Sequence, residues 1–194
     1  VSGLARERYG SGETVTSGGS GFGLMALIVG IERGFITREE GFERLNRIVS
    51  FLSRPETDRF HGAFPHWLNG TTGKVIPFSS NDNGGDLVET AFLMQGLLTV
   101  REYFRDGSAA EQEMCNSITA LWEAVEWSWY RKQDQNMLYW HWSPDRGWVM
   151  NMGVTGWNEA LIVYVLAAAS PSHSIPSVVY TNGWARNGAY PMVN

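Results

Sequence analysis

Cysteine is almost absent from this sequence, and so are the features of a membrane or secretory segment. Cys115 is the only cysteine among 194 residues, so no internal disulfide can form. Within a helical pattern, it reads as a small buried apolar residue rather than a nucleophile. The longest apolar stretches are too short to span a bilayer, and the opening VSGLARERYG lacks the apolar core of a signal peptide.

Positive charge is also sparse. The 15 Lys and Arg are scattered and outnumbered by 20 Asp and Glu, which gives a net charge of -5. Nucleic-acid binding needs a basic patch, so we expect no nucleic-acid partner. The four histidines show no zinc spacing, and His61 and His66, five residues apart, are a weak metal signal. We therefore expect no metal and no other cofactor.

Apolar residues make up 43% of the chain, enough for a buried core, and they fall into five helical segments of two kinds. Three segments are apolar nearly all round, which predicts core helices: Phe22–Ile31, Leu87–Val100 and Glu159–Ala169. The other two are amphipathic, and each opens on a capping box. One runs from Thr37 to about Leu52, and the other opens at Ser108 and carries an apolar stripe that continues to Trp129.

The two kinds of helix alternate along the chain in a loose repeat of roughly 70 residues. This order predicts an all-α fold of inner helices ringed by outer ones, an (α/α)6 toroid or a partial toroid, with a plain helical bundle as the alternative. A closed ring needs about twelve helices, so residues 1–194 are expected to form about the first half of a single toroid domain. A second chain or a further half would then complete it.

Two connections have the pattern of β-hairpins. The first pairs residues 64–68 with 74–78 around an Asn-Gly-Thr-Thr-Gly turn, and the second pairs 137–142 with 147–150 around Ser-Pro-Asp-Arg. Both lie between an outer helix and the next inner one, so we expect them at the end where the inner helices begin.

Acidic residues cluster where the second apolar helix starts. Asp82 and Asp86 precede this helix, and Glu89 lies in its first turn. Helix capping alone could explain Asp86 and Glu89. Asp82 lies outside the cap, however, and Gly84-Gly85 would let backbone approach a ligand closely.

Glu159 opens the third apolar helix beside Trp157. If the inner helices run side by side in one direction, its carboxylate faces the same cleft as the other three. Glycoside hydrolysis needs two such groups, one to protonate the leaving oxygen and one to act as base or nucleophile. We expect Glu159 to be the acid, its pKa raised by burial against Trp157, and Asp82 or Asp86 to be the base.

Tryptophans are concentrated in the same connections. Sugar rings stack their C–H faces on aromatic side chains, so these residues are candidate substrate contacts together with Glu89. They are Trp67, Trp140, Trp142, Trp148 and Trp157. The alternative is that some of them pack the hairpins against each other.

Three ordered motifs resemble the bacterial glucoamylase-like (glycoamylase) domain family. They are Gly21-Phe-Gly-Leu through Ile36-Thr-Arg-Glu-Glu, Asp86-Leu-Val-Glu-Thr-Ala-Phe-Leu, and Gly156-Trp-Asn-Glu-Ala-Leu. The resemblance implies an (α/α)6 toroid and relatives that include endo-β-1,2-glucanases and domains of cyclic β-1,2-glucan enzymes. It also implies site roles for Asp82, Asp86, Glu89, Trp157 and Glu159.

These relatives are about twice as long and act in the periplasm or outside the cell. The resemblance therefore predicts a periplasmic or extracellular glycoside hydrolase acting on an oligo- or polysaccharide, possibly β-1,2-linked. A non-catalytic glycan-binding module and a purely structural helical fragment are the alternatives.

Overall fold

The computed structural model describes residues 2–189 and is dominated by five α-helices. The helices are α1 Ser17–Glu32, α2 Arg38–Leu52, α3 Leu87–Phe104, α4 Ala109–Glu123 and α5 Leu161–Ala169. There are also five short strands, of which the first precedes α1 and the others lie between helices: β1 Thr14–Thr16, β2 Trp67–Asn69, β3 Val75–Ile76, β4 Gly85–Asp86 and β5 His141–Trp142. All five predicted helices are present, and α5 begins two residues after Glu159.

The two predicted capping boxes are confirmed. At the start of α2, the Thr37 hydroxyl accepts from the backbone N–H of Glu40, whose carboxylate accepts from the N–H of Thr37. Ser108 and Glu111 make the same reciprocal pair at the start of α4. These caps satisfy backbone donors that a helix leaves without internal partners, and so they fix where both amphipathic helices begin.

Helix α3 is the central element, with α1 and α5 packed on it. The outer helices α2 and α4 pack beside each other, α2 against α1 and α4 against α3. The helices α1 and α3 cross closely because glycines face each other at the contact. A Cβ on Gly21 would meet the carbonyl of Phe92, and one on Gly96 would meet the carbonyl of Gly21.

Only one of the three apolar helices has most of its residues buried. Helix α3 contributes ten fully buried residues to the core. In contrast, Phe22 and Val29 on α1 are 56% and 55% exposed, and Val165 on α5 is 52% exposed. The sequence therefore correctly predicts apolar helices, but each flanking helix carries an apolar face that nothing in residues 2–189 covers.

One predicted hairpin is confirmed and the other is wrong. Strands β2 and β3 pair antiparallel, and β1 adds a third strand on the other side of β2. The second connection keeps its turn, where Ser143 and Gly147 exchange backbone hydrogen bonds, but residues 138–140 return against 152–154 and not against 147–150. Strand β5 pairs with β4 instead of with residues 147–150, so that Trp142 lies opposite Gly85 and His141 opposite Asp86.

The stripe predicted to continue to Trp129 ends earlier. Helix α4 stops at Glu123, and Trp129 lies in a separate 3-10 turn, Trp129–Arg131. Cys115 is buried, as expected. Among the described residues, no helix combines the length and the apolar character that crossing a bilayer requires.

Candidate active site

The acidic cluster lies where α3 begins, at the pairing of β4 and β5. The backbone N–H of Asp86 donates to the carbonyl of Phe64, and that of Leu87 donates to the carbonyl of Trp140. Three segments of chain are thereby joined at one point. Asp86 is completely buried, and Asp82 is 5% exposed.

Asp86 and Glu89 make only half of the capping box that their spacing predicts. Asp86 Oδ1 accepts from the backbone N–H of Glu89 at 2.9 Å and so caps α3. The Glu89 carboxylate turns away and serves α1 instead, where its Oε2 accepts from the N–H of Gly18 at 2.9 Å and from the Thr16 hydroxyl at 3.3 Å. The negative charge lies beside the N-terminus of α1, where the helix dipole favours it.

Two histidines belong to this cluster, and the sequence analysis missed them as site residues. His66 Nδ1 lies 3.2 Å from Asp86 Oδ2. His141 Nε2 lies 3.5 Å from Asp82 Oδ2 and 3.6 Å from Asp86 Oδ2. His66 is close in sequence to His61, but its partner Asp86 lies twenty residues further on. His141 joins the site only through the β4–β5 pairing, which local sequence pattern does not predict.

Burial and mutual charge shift the pKa values of three groups here. Burial raises the pKa of Asp82 above its ordinary value, helped by the Asp86 charge and opposed by His141. Burial likewise raises the pKa of Glu89, with the Asp86 charge as the next cause. Burial lowers the pKa of His66, but the Asp86 carboxylate outweighs it, so the net shift is upward. Perturbed groups clustered in this way are typical of functional sites.

The surroundings of Glu159 differ from those expected. It lies in an exposed turn before α5 rather than in the helix. Trp157 is 66% exposed, so it does not bury the carboxyl as predicted. The chain leading to this turn runs past the cluster, because the N–H of Trp140 donates to the carbonyl of Met152 and that of Val154 donates to the carbonyl of Leu138.

The glycine pair has a structural role. A Cβ on Gly84 would meet the carbonyl of Trp142, and one on Gly85 would meet the hydroxyl of Tyr130. The close approach that these glycines allow within residues 2–189 is to β5 and to a core tyrosine.

The candidate tryptophans occupy different surroundings. Trp67 packs against Phe78, with ring centroids 4.7 Å apart. Trp140 lies parallel to His141 at 5.5 Å between centroids, and its indole nitrogen is buried without a hydrogen-bond partner in residues 2–189. Trp67 also meets His66 edge-on at 5.6 Å between centroids, so both tryptophans adjoin the histidines of the acidic cluster.

Trp142 and Trp148 join an aromatic cluster around Trp129, a residue that the sequence analysis assigned to a helix stripe. Trp129 stacks on His61 at 3.4 Å, meets Trp142 edge-on at 5.2 Å and lies 4.9 Å from Trp148. Part of the tryptophan set thus packs on itself, as the alternative interpretation held. The cluster still leaves Trp129 and Trp148 accessible in a pocket of about 270 Å³ that also includes Gln133 and Asp134.

The turn that forms one wall of this pocket is strained. Lys132, Gln133 and Asp134 all have positive φ, at 48°, 62° and 61°. Non-glycine residues rarely adopt this left-handed region. Arg131 holds the turn, with Nη2 donating to the Asp134 carbonyl at 2.8 Å and Nε donating to the Gln135 carbonyl at 3.0 Å. Backbone strain of this kind is commonly found at ligand sites.

Known proteins resemble this chain at high sequence identity. Residues 151–194 match the Glycoamylase family. The chain is 52% identical over 192 residues to an exo-β-1,2-glucooligosaccharide sophorohydrolase (non-reducing end) of Parabacteroides distasonis, a match that covers 97% of this chain and 26% of that protein.

Two solved structures extend the comparison to the fold. An endo-β-1,2-glucanase of Chitinophaga pinensis, in complex with sophorotriose and glucose, superimposes on this chain with a TM-score of 0.93 at 60% identity. The match covers 97% of this chain and 46% of the glucanase chain. A β-1,2-glucanase of Parabacteroides distasonis superimposes with a TM-score of 0.91 at 53% identity, and the match covers 95% of this chain and 26% of that glucanase chain. This chain therefore spans less than half the length of each of these relatives. Over that length, the comparisons confirm the resemblance to the glucoamylase-like family that the motifs predict.

Proposed function

We propose that this chain carries the catalytic carboxylates of a glycoside hydrolase that cleaves a β-1,2-linked glucan. The observation that carries the proposal is the convergence of Asp82, Asp86 and two histidines at the N-terminus of α3, in a chain 60% identical to an endo-β-1,2-glucanase. A buried carboxylate with a raised pKa, as at Asp82, beside accessible tryptophans suits the hydrolysis of a sugar polymer.

The geometry narrows the choice of base. Both oxygens of Asp86 are engaged, one by the cap of α3 and the other by His66. The raised pKa of Asp82 makes its carboxylate a stronger base than an ordinary aspartate. We therefore assign the base to Asp82.

Asp86 is the weaker candidate for the matching acid. One of its oxygens caps α3 and the other is engaged by His66, so neither faces a glycosidic oxygen without losing a partner. Glu159 is the remaining candidate, and its exposed position allows it to reach a glycosidic oxygen. We keep Glu159 as the acid for that reason, and no longer because of burial by Trp157.

The aromatic residues supply sugar contacts in this proposal. Trp67 and Trp140 adjoin the carboxylates, and the pocket at Trp129 and Trp148 is of a size to accept one glucosyl unit beyond the cleavage point. Glu89 and Trp157 complete the proposed set of substrate contacts.

The exposed apolar faces of α1 and α5 support a partial toroid. Phe22, Val29 and Val165 are each more than half exposed, and an apolar patch of this kind marks an interaction surface. We propose that further helices, from a further half of the domain or a second chain, cover these faces and close the (α/α)6 ring. From the resemblance to the glucoamylase-like family, we place the protein in the periplasm or outside the cell.

The test is hydrolysis of β-1,2-glucan, followed by reducing-end assay and product chromatography, with α-glucans and other β-glucans as comparison substrates. The chain is assayed alone and mixed with the half of the Chitinophaga pinensis glucanase that it does not cover. We expect Asp82→Asn and Glu159→Gln each to lower kcat at least a hundredfold, and the exposed control Glu113→Gln to leave it unchanged.

Retained hydrolysis in either variant would remove that residue from the mechanism. Binding of β-1,2-linked oligosaccharide that survives both substitutions, with no hydrolysis by any form, would identify a glycan-binding module instead.

A further inference from the structure

Four side chains that can ligate metals meet at the start of α3, and the backbone holds them from three sides. Asp86 and His141 are register partners in the β4–β5 pair. His66 follows Phe64, whose carbonyl accepts from the backbone of Asp86 and from the hydroxyl of Thr90. The cluster is therefore built on paired backbone and not on a free loop.

Three distances between donor atoms are close to those around a small metal ion. Zn²⁺ binds imidazole nitrogen at about 2.0–2.1 Å and carboxylate oxygen at about 2.0–2.2 Å, which in a tetrahedron places neighbouring ligands about 3.3–3.5 Å apart. Here Asp86 Oδ2 lies 3.2 Å from His66 Nδ1 and 3.6 Å from His141 Nε2, and Asp82 Oδ2 lies 3.5 Å from His141 Nε2. Donor atoms of His66, Asp82 and Asp86 all lie within 4.8 Å of one another.

His141 provides an independent observation. The residue is 9% exposed, yet no group in residues 2–189 forms a hydrogen bond with its Nδ1. Its Nε2 points between the carboxylates of Asp82 and Asp86 at distances longer than those of a good N–H···O bond. Nε2 therefore has no close hydrogen bond in residues 2–189, and it faces the space between the two carboxylates where an ion bound by Asp82 and Asp86 would lie.

We propose that His66, Asp82 and Asp86, with His141 as the fourth ligand, bind a divalent transition-metal ion of the Zn²⁺ type. Imidazole nitrogen combined with carboxylate oxygen suits Zn²⁺ and Co²⁺, whereas Ca²⁺ and Mg²⁺ take oxygen ligands. The binding does not depend on the proposed function. If that function holds, the ion occupies the oxygens of Asp82 that activate water, and so it inhibits hydrolysis in competition with the glucan.

The test of binding is calorimetric titration of the metal-free chain with Zn²⁺, repeated with Co²⁺ while its visible absorption is recorded. We expect one ion per chain, and a rise in Co²⁺ absorption as the hydrated ion becomes tetrahedral. His66→Gln and His141→Gln should each weaken Zn²⁺ binding at least tenfold, while His173→Gln, a half-buried histidine near the end of the described chain, leaves it unchanged. Circular dichroism identifies which variants fold. If only one of the two variants His66→Gln and His141→Gln folds, its Zn²⁺ affinity is sufficient to test the proposal.

Two results would overturn the proposal. One is a Zn²⁺ Kd weaker than about 1 mM for the folded parent chain. The other is equal affinity in the parent and in a folded His66→Gln or His141→Gln variant. A second assay measures glucan hydrolysis against Zn²⁺ concentration. Binding without inhibition would count against the catalytic role of Asp82 and leave the metal site standing, so that the two proposals fail separately.

Discussion

Replacement of Asp86 tests how the buried carboxylate stabilises the fold. Asp86 is completely buried, caps α3 through the N–H of Glu89 at 2.9 Å and accepts from His66 at 3.2 Å. Loss of an N-cap costs about 1 kcal/mol, and loss of a hydrogen bond to a charged group costs about 1.5–3 kcal/mol. Asp86→Ala should therefore lower the free energy of unfolding by about 2.5–4 kcal/mol, which for a chain of this size lowers Tm by about 5–16 °C.

The companion variant separates the two contributions. Asp86→Asn keeps an oxygen that can cap α3 and loses only the charge that faces His66, so it should cost less than Asp86→Ala by about 1 kcal/mol. Urea unfolding in the presence of EDTA gives the free energies, and a double-mutant cycle with His66→Gln should show a coupling of about 0.5–3 kcal/mol. Equal costs for the two Asp86 variants, or a coupling indistinguishable from zero, would refute this account of the residue.

Three further predictions follow from the same structure. Burial raises the pKa of Glu89 above its ordinary 4.5, so the protonated carboxyl stabilises the fold below pH 4.5, and this stabilisation is lost as pH rises through the folded pKa. Glu89→Gln should therefore raise the urea midpoint of unfolding at pH 7 but not at pH 4. A lower midpoint for the variant at pH 7 would contradict this account. Gly21→Ala places a Cβ against the Phe92 carbonyl and should destabilise the chain by about 1–3 kcal/mol. Gly23→Ala has nothing within 4 Å of its Cβ and should stabilise the chain by about 0.5–1 kcal/mol. Similar melting curves for the two variants would show that α1 and α3 adjust freely. Trp148→Ala should weaken binding of β-1,2-linked oligosaccharides by about 1–2 kcal/mol in calorimetry, with circular dichroism as the control for folding, and unchanged affinity would exclude the pocket as a sugar site.

The helix starts and the first hairpin turn could be predicted from the sequence. Thr37 and Ser108 start their helices through side chains three residues ahead, and the Asn69 turn closes its hairpin within five residues. In each case the partner lies close along the chain, so that pattern and geometry coincide.

The site was harder to predict because its contacts connect distant segments. Asp82 and Asp86 were identified from composition at a helix start, but His141 reaches them only through the pairing of β5 with β4, which replaced the hairpin that local alternation favoured. Glu89 looked like half of a local cap and instead serves α1, 71 residues earlier. Tertiary pairing thus overrode local preference at the positions where the site is assembled.

The clamped turn at Arg131 has a consequence for how this protein can change. Left-handed backbone costs an L-residue roughly 1–2 kcal/mol, and three such residues in succession would open into a looser loop without the guanidinium that ties down the Asp134 and Gln135 carbonyls. Glycine or asparagine substitutions there would relax the backbone and make Arg131 dispensable. Homologues with such substitutions would have less backbone strain but would lose the rigid rim of the pocket. We therefore expect Arg131 and the residues of the turn that it binds to be kept together or replaced together in evolution.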